Sequence, residues 1–172
     1  MLIDLTEVIK NENGKLDICE DFHMPEISFM GEEFEFSKPF KAVGCITNNS
    51  KALELAIEVS GKAKVHCARC AAPLEVTIQF PVKETLMRED ETNPEDDEII
   101  LYKGKEIELD DIIVSNFLVN VPVKYLCRED CKGLCPHCGT NLNEHTCDCD
   151  KDVLDPRWEK LAEIMKNMTD TK

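Results

Sequence analysis

A chain of 172 residues, 42% of them hydrophobic, is long enough for one domain with a real core plus a small appended module, and this composition excludes wholesale disorder. Aromatic residues make up only 6%, so the core is expected to rest on Val, Ile and Leu. The formal net charge of -15 excludes a broad polyphosphate-binding surface, which has to be basic. Any nucleic-acid contact must be local or reached through a basic partner, such as a ribosomal protein. The N-terminal run Met1-Leu-Ile-Asp-Leu-Thr-Glu carries acids and no basic leader, and no segment has 18 uninterrupted apolar residues. The expectation is a soluble cytoplasmic protein that binds no membrane. In a reducing compartment, ten cysteines point to metal rather than to a disulfide framework.

From residue 1 to about 88 the pattern is mostly that of strands. Met1 to Ile9 reads as the first. Glu33-Phe-Glu-Phe-Ser-Lys-Pro-Phe alternates aromatic and polar residues and directs Phe34, Phe36 and Phe40 to one face. Asn48-Asn49-Ser50 is a turn. The next strand turns Leu53, Leu55, Ile57 and Val59 inward and leads through Val65 to Cys67. After Ala71-Ala72-Pro73, the residues Leu74, Val76, Ile78 and Phe80 share a face. Two alternating strands joined by Cys67-Ala-Arg-Cys70 make a long hairpin with a thiol pair at its tip. Cys19 and Cys45 are isolated and read as small buried side chains.

Residues 89 to 98 hold seven acids and no base, the signature of a solvated loop. Ile99 to Tyr102 and Ile107 read as short strands around a turn at Gly104. Asp110 is placed to cap a helix carrying Ile112, Ile113, Phe117 and Leu118, which ends before Pro122. Being apolar on nearly all sides, it reads as the core helix against the sheet. Asp155-Pro156 starts a terminal helix with a Trp158, Leu161, Ile164, Met165 and Met168 packing stripe.

The cysteines near the C-terminus carry the most chemistry. In Cys135-Pro-His-Cys138-Gly139 the two-residue spacing lets both sulfurs face one ion, and Gly139 supplies the positive φ behind the second thiolate. Cys147-Asp-Cys149 provides a second pair, and the four sulfurs suit a closed tetrahedral zinc site. One intervening residue is tight for a knuckle, so His145 or Cys131 is an alternative ligand. Cys67 and Cys70 need two further ligands, and Cys127 and Cys131 are available for a second site. The expected cofactor is therefore one or two zinc ions. Lys62, Lys64 and Arg69 lie in a stretch without acids beside the hairpin tip and form the candidate RNA or phosphate contact. Screening of the nearby thiolates is an equal reading of the same cations.

Cys67-Ala-Arg-Cys70, the run from Leu126 to Asn143 that includes Cys127, Cys131 and Cys135-Pro-His-Cys138, and Asp155-Pro156-Arg157 together resemble the YceD family of large-ribosomal-RNA-subunit accumulation proteins. The resemblance implies a bacterial, non-enzymatic factor needed for normal levels of 23S ribosomal RNA and for large-subunit biogenesis. Some members keep only the first Cys-x-x-Cys.

An enzyme is disfavoured from the residues as well. Redox Cys-x-x-Cys pairs sit at helix N-termini, whereas these flanks read as strand. A catalytic zinc keeps an open position, and all-cysteine pairs argue for closed sites.

The expected fold is α+β: a largely antiparallel sheet with a core helix, a C-terminal cysteine-rich zinc module and a terminal helix. Residues 1-125 form the β-rich domain and 126-172 the zinc-binding module with its helix. The expected partner is pre-ribosomal large-subunit RNA or a basic ribosomal protein, with no small-molecule substrate. The alternative is a zinc-ribbon adaptor that binds a basic protein without touching RNA.

Overall fold

The computed structural model describes residues 1–36, 38–90 and 99–149. In chain order the elements are β1 (Leu2–Asp4), α1 (Thr6–Lys10), β2 (Lys15–Phe22), β3 (Ile27–Phe29), β4 (Glu32–Phe34), β5 (Phe40–Asn48), β6 (Leu53–His66), β7 (Pro73–Arg88), β8 (Ile99–Tyr102), β9 (Glu106–Glu108) and α2 (Asp110–Asn120). The acidic stretch at 91–98 and the terminal helix expected from Asp155 lie outside the described residues.

The hairpin of β6 and β7 is the spine. Its antiparallel register runs from Leu53 opposite Leu86 to His66 opposite Pro73. Strict alternation places Leu53, Leu55, Ile57, Val59, Ala63 and Val65 on the core face, none more than 4% exposed. Ile78, Phe80, Val82 and Leu86 answer from β7, with Leu74 and Val76 partly buried against the same core. Position 61 breaks the stripe because a ring occupies its space. A Cβ on Gly61 would lie 2.5 Å from Phe40, so only glycine lets that ring lie over β6.

Five strands form one sheet in the order β2-β5-β6-β7-β8, antiparallel except for β8, which runs parallel to β7. β5 stops pairing with β6 at Lys41 opposite Ser60. Beyond that point the hairpin continues as a two-stranded arm, steadied by a bridge between Glu35 and Lys64. Two small pairs, β1 with β9 and β3 with β4, complete the architecture.

α2 lies on the core face of β7. Asn116 Nδ2 donates to Glu84 Oε1 at 2.6 Å and ties the two together. Only one side of this helix is covered: Ile112, Ile113 and Phe117 are buried, while Val119 is 85% exposed. It is the core helix against the sheet, as expected, although its apolar residues extend beyond the one face that packs there. Asp110 is not the cap. Leu109 takes that position, and Asp110 and Asp111 stand in the first turn, where negative charge complements the helix dipole.

Other expectations are corrected as well. Met1 to Ile9 is not one strand. Asp4 Oδ1 accepts the Thr6 N–H at 2.8 Å and starts a helical turn that buries Leu5 and Val8. The segment from Glu33 to Phe40 is likewise split between β4 and β5, yet its rings converge. Phe34 meets Phe117 edge-on at 5.2 Å, Phe36 meets Phe40 at 5.3 Å, and Phe80 meets Phe117 at 6.0 Å. These rings form one aromatic cluster within a core that otherwise rests, as expected, mainly on Val, Ile and Leu. Cys19 is exposed and Cys45 half-buried, because Ile18 and Ile46 take the core face and alternation sends the cysteines to the other. Among the described residues, no helix is long and apolar enough to cross a membrane.

Phe117→Ala removes the ring on which the cluster converges and should cost about 3–5 kcal/mol in urea unfolding. Val119→Ala, two residues away on the open side, should stay within about 0.5 kcal/mol.

Candidate metal centres

Two turns of identical construction present the Cys-x-x-Cys pairs. At the hairpin tip the Cys67 N–H donates to the Ala72 carbonyl and the Ala71 N–H to the Cys67 carbonyl, both at 2.9 Å. In the second turn the Cys135 N–H donates to the Thr140 carbonyl at 2.8 Å, and the Gly139 N–H to the Cys135 carbonyl at 2.9 Å. The residue after the second cysteine is left-handed in both, with φ 55° at Ala71 and 73° at Gly139. Only Gly139 suits that conformation without cost.

Each knuckle meets one further pair of thiols. Cys67, Cys70, Cys127 and Cys131 form one quartet, and Cys135, Cys138, Cys147 and Cys149 the other, with the sulfurs of each within 4.8 Å of one another. His145 is in neither, and Cys131 belongs to the hairpin group. In the first quartet Cys67 and Cys131 sulfurs are 3.9 Å apart, and those of Cys70 and Cys127 3.7 Å. A tetrahedron with metal–sulfur bonds of about 2.3 Å has edges of about 3.8 Å, so these residues fit a zinc-sized thiolate site. The same separations are far from a disulfide bond, and all ten cysteines are free.

The first quartet continues the core. Cys67 follows Ala63 and Val65 on the inward stripe of β6, and Cys67, Cys70 and Cys131 are buried against Ala72, Leu74 and Leu126. Its second half arrives through Tyr125, whose carbonyl accepts the Ala68 N–H at 2.8 Å. Arg69 clamps the join: its guanidinium donates to the carbonyls of Glu129 at 3.1 Å and Cys131 at 2.9 Å, while its own carbonyl accepts the Leu134 N–H at 3.0 Å. The second quartet is more open, with Cys135 buried, Cys138 exposed and Cys147 and Cys149 half-buried.

Electrostatics within each quartet split the thiols. Burial by itself would raise Cys67, but N–H donors from Cys127, Arg69 and Cys70 outweigh it and bring the thiol down to about 6. The Thr140 hydroxyl and N–H, with the neighbouring thiols of Cys135 and Cys149, bring Cys138 to about 6. Cys127 is pushed up to about 12, first by Cys131 and then by burial, and Cys149 to about 12, first by Cys138 and then by burial. Each group thus holds a ready thiolate beside a thiol that resists ionising without a compensating cation.

The candidate phosphate contacts occupy a different setting from the one their sequence neighbourhood implies. Lys62 pairs with Glu75 at 2.6 Å across the hairpin, and Lys64 with Glu35 at 3.6 Å. Arg69 is the clamp described above and turns towards the backbone of the cysteine loop. Sequence reasoning missed the supporting residues Thr140 and Asn143. Asn143 Nδ2 lies 3.3 Å from the Cys131 sulfur. Their signal was visible only as polar residues in the turn between thiol pairs.

Comparison with known proteins adds the following. The YceD family, described as large ribosomal RNA subunit accumulation protein YceD, matches residues 55–165. An uncharacterized protein of Mycobacterium tuberculosis is 32% identical over 113 residues, covering 61% of this chain and 52% of its own length. One of Mycobacterium leprae is 24% identical over 153 residues, 83% of this chain and 68% of the relative. The large ribosomal RNA subunit accumulation protein YCED homolog 1, chloroplastic, of Arabidopsis thaliana is 31% identical over 64 residues, 37% of this chain and 20% of its own. The chain spans about half the length of the Mycobacterium tuberculosis relative it matches. No solved structure matches it.

Cys127 and Cys138 are both exposed, so their ionisation should decide their reactivity. In metal-free protein at pH 7, Cys138 should be alkylated roughly a hundredfold faster than Cys127, the thiolate fraction outweighing its lower intrinsic nucleophilicity. Lowering the pH through about 6 should slow Cys138 by protonating it. Mass spectrometry of timed iodoacetamide reactions checks both.

Proposed function

This chain belongs to the YceD family, and we propose that it is a non-enzymatic factor supporting accumulation of 23S ribosomal RNA and assembly of the large ribosomal subunit. The observation that carries the reading is the family match over residues 55–165, a span that includes all but the first two residues of the hairpin, α2 and all eight clustered cysteines. The family and its chloroplast relative are both named for large ribosomal RNA subunit accumulation. The work is binding rather than catalysis, carried out in the cytoplasm.

The two quartets each hold one zinc ion in this reading. All-thiolate ligation leaves no open position for substrate, so the ion supplies folding energy and no reaction. The chain's own residues do the rest: knuckle N–H groups spread the sulfur charge, and Arg69 holds the 126-172 module on the hairpin of the 1-125 domain.

Pre-ribosomal large-subunit RNA is the partner that this reading favours, contacted by Lys62 and Lys64. Both project from the outer row of the arm, and their ion pairs with Glu75 and Glu35 are exposed on both sides. Exposed pairs of that kind, screened by water and salt, contribute little and yield readily to a phosphate. Arg69, by contrast, serves the scaffold.

Purified protein should carry close to two zinc ions, and Cys138→Ser should lose one. In cells where this chain is the sole copy, Cys70→Ser should lower the ratio of large- to small-subunit ribosomal RNA. An unchanged ratio counts against the function, and metal-free protein of full stability counts against zinc.

Changing Lys62 and Lys64 to Glu should weaken association with large-subunit precursors while leaving fold and zinc content intact. The slope of log affinity against log salt should fall by roughly 1.4, the value for two contacts to single-stranded RNA. Arg69→Ala should instead loosen zinc at the hairpin. Precursor binding that survives the double lysine change would remove the arm as the contact.

A further inference from the structure

The loop that closes the second quartet also completes the surroundings of the first. Cys131 and Cys135 belong to different groups yet are separated only by Lys132, Gly133 and Leu134. This link is pressed against the hairpin tip, where a Cβ on Gly133 would lie 2.9 Å from the Arg69 carbonyl oxygen. The chain then folds back on it. Leu134 bridges Asn141, and the Leu142 N–H donates to the Gly133 carbonyl at 2.9 Å.

From the middle of this returning segment the half-buried Asn143 reaches the other quartet. Its Nδ2 donates to the Cys131 sulfur at 3.3 Å. Its Oδ1 accepts the Lys132 N–H and the Arg128 guanidinium, each at 2.8 Å. Asn141 Oδ1 steadies it from behind, accepting Nδ2 at 2.8 Å and the Asn143 N–H at 3.1 Å. Two donors converge on the oxygen and two acceptors on the nitrogen, which defines the orientation of the amide. Asn143 is thus positioned by its own loop and spent on a sulfur of the neighbouring site.

The loop 139–146 has a ligand at each end, Cys138 and Cys147, and none within. An ion at the second quartet closes it and removes the conformational freedom of its eight residues. We infer that the two quartets are one coupled unit, in which metal at the second orders the loop that holds Asn143 against Cys131 and so tightens metal at the first. Linkage makes the effect reciprocal, so metal at the hairpin equally favours metal at Cys135 to Cys149. Asn143 is the positioning residue that carries the coupling. The inference rests on the two-zinc reading above.

Zinc affinity of the full chain, measured by competition with a chromogenic chelator, tests it. Cys138→Ser leaves the hairpin quartet, and Cys70→Ser leaves the other. The wild-type affinity for two ions, divided by the product of the two single-site affinities, is the coupling factor. It should be about fivefold or more, within the range usual for coupled sites, and should fall to about one when all three chains also carry Asn143→Ala. A factor near one without that change, or one that survives it, overturns the inference. Asn143→Ala alone keeps all eight thiols and gives a second measurement. It should still bind two ions but lose one of them to chelator about 10- to 100-fold faster, and an unchanged rate also overturns the inference. A wild-type chain that binds fewer than two ions instead overturns the zinc reading, so the two failures are distinct.

Discussion

Four sulfurs brought within 4.8 Å of one another repel as soon as more than one of them ionises, and the hairpin tip and the segment from Cys127 to Cys149 are organised around that constraint. The knuckles answer it with backbone donors, the segment after α2 adds the N–H of Cys127 to Cys67, and Asn143 adds an amide to Cys131. These groups lower some thiols, but the partners at Cys127 and Cys149 are driven up to about 12 in consequence. A divalent cation would answer both halves of the problem at once, which makes each quartet a group that could hold a metal ion.

The hairpin transmits this local chemistry to the core. One alternating stripe runs from Leu53 through Val59, Ala63 and Val65 to Cys67, so the first thiol of the hairpin quartet is the last residue of the hydrophobic face. Phe117 packs midway along that face, against Phe34, Phe36 and the Phe80 that lies opposite Val59. A disturbance at the tip therefore reaches packed strands directly, with no flexible linker between. Arg69 works in the other direction. A cation in an acidic chain, it is bound to carbonyls that would otherwise lack donors where two chain segments meet.

Legibility in the sequence followed the range of the interactions. The inward residues of β6 and β7, the turn at Asn48 to Ser50 and both Cys-x-x-Cys knuckles could be read because alternation, turn chemistry and thiol spacing are local. The same reasoning failed at Met1 to Ile9, where the Thr6 N–H turns back to the Asp4 carboxylate and the chain continues as a short helix. It failed again for Cys19 and Cys45, since nothing in an isolated strand says which of its two faces will meet the core.

By itself the sequence determined the period of each strand, the place of the hairpin, the paired thiols and the balance of charge, because these depend on residues within a few positions of one another. Only the tertiary structure decided which thiol pairs meet, that the Arg69 guanidinium bonds the carbonyls of Glu129 and Cys131, that Lys62 and Lys64 face Glu75 and Glu35, and that Asn143 reaches Cys131. Those are contacts between segments distant along the chain or on neighbouring turns. Their partners are chosen by the register of the sheet and the path of the loops, which only the packed core defines.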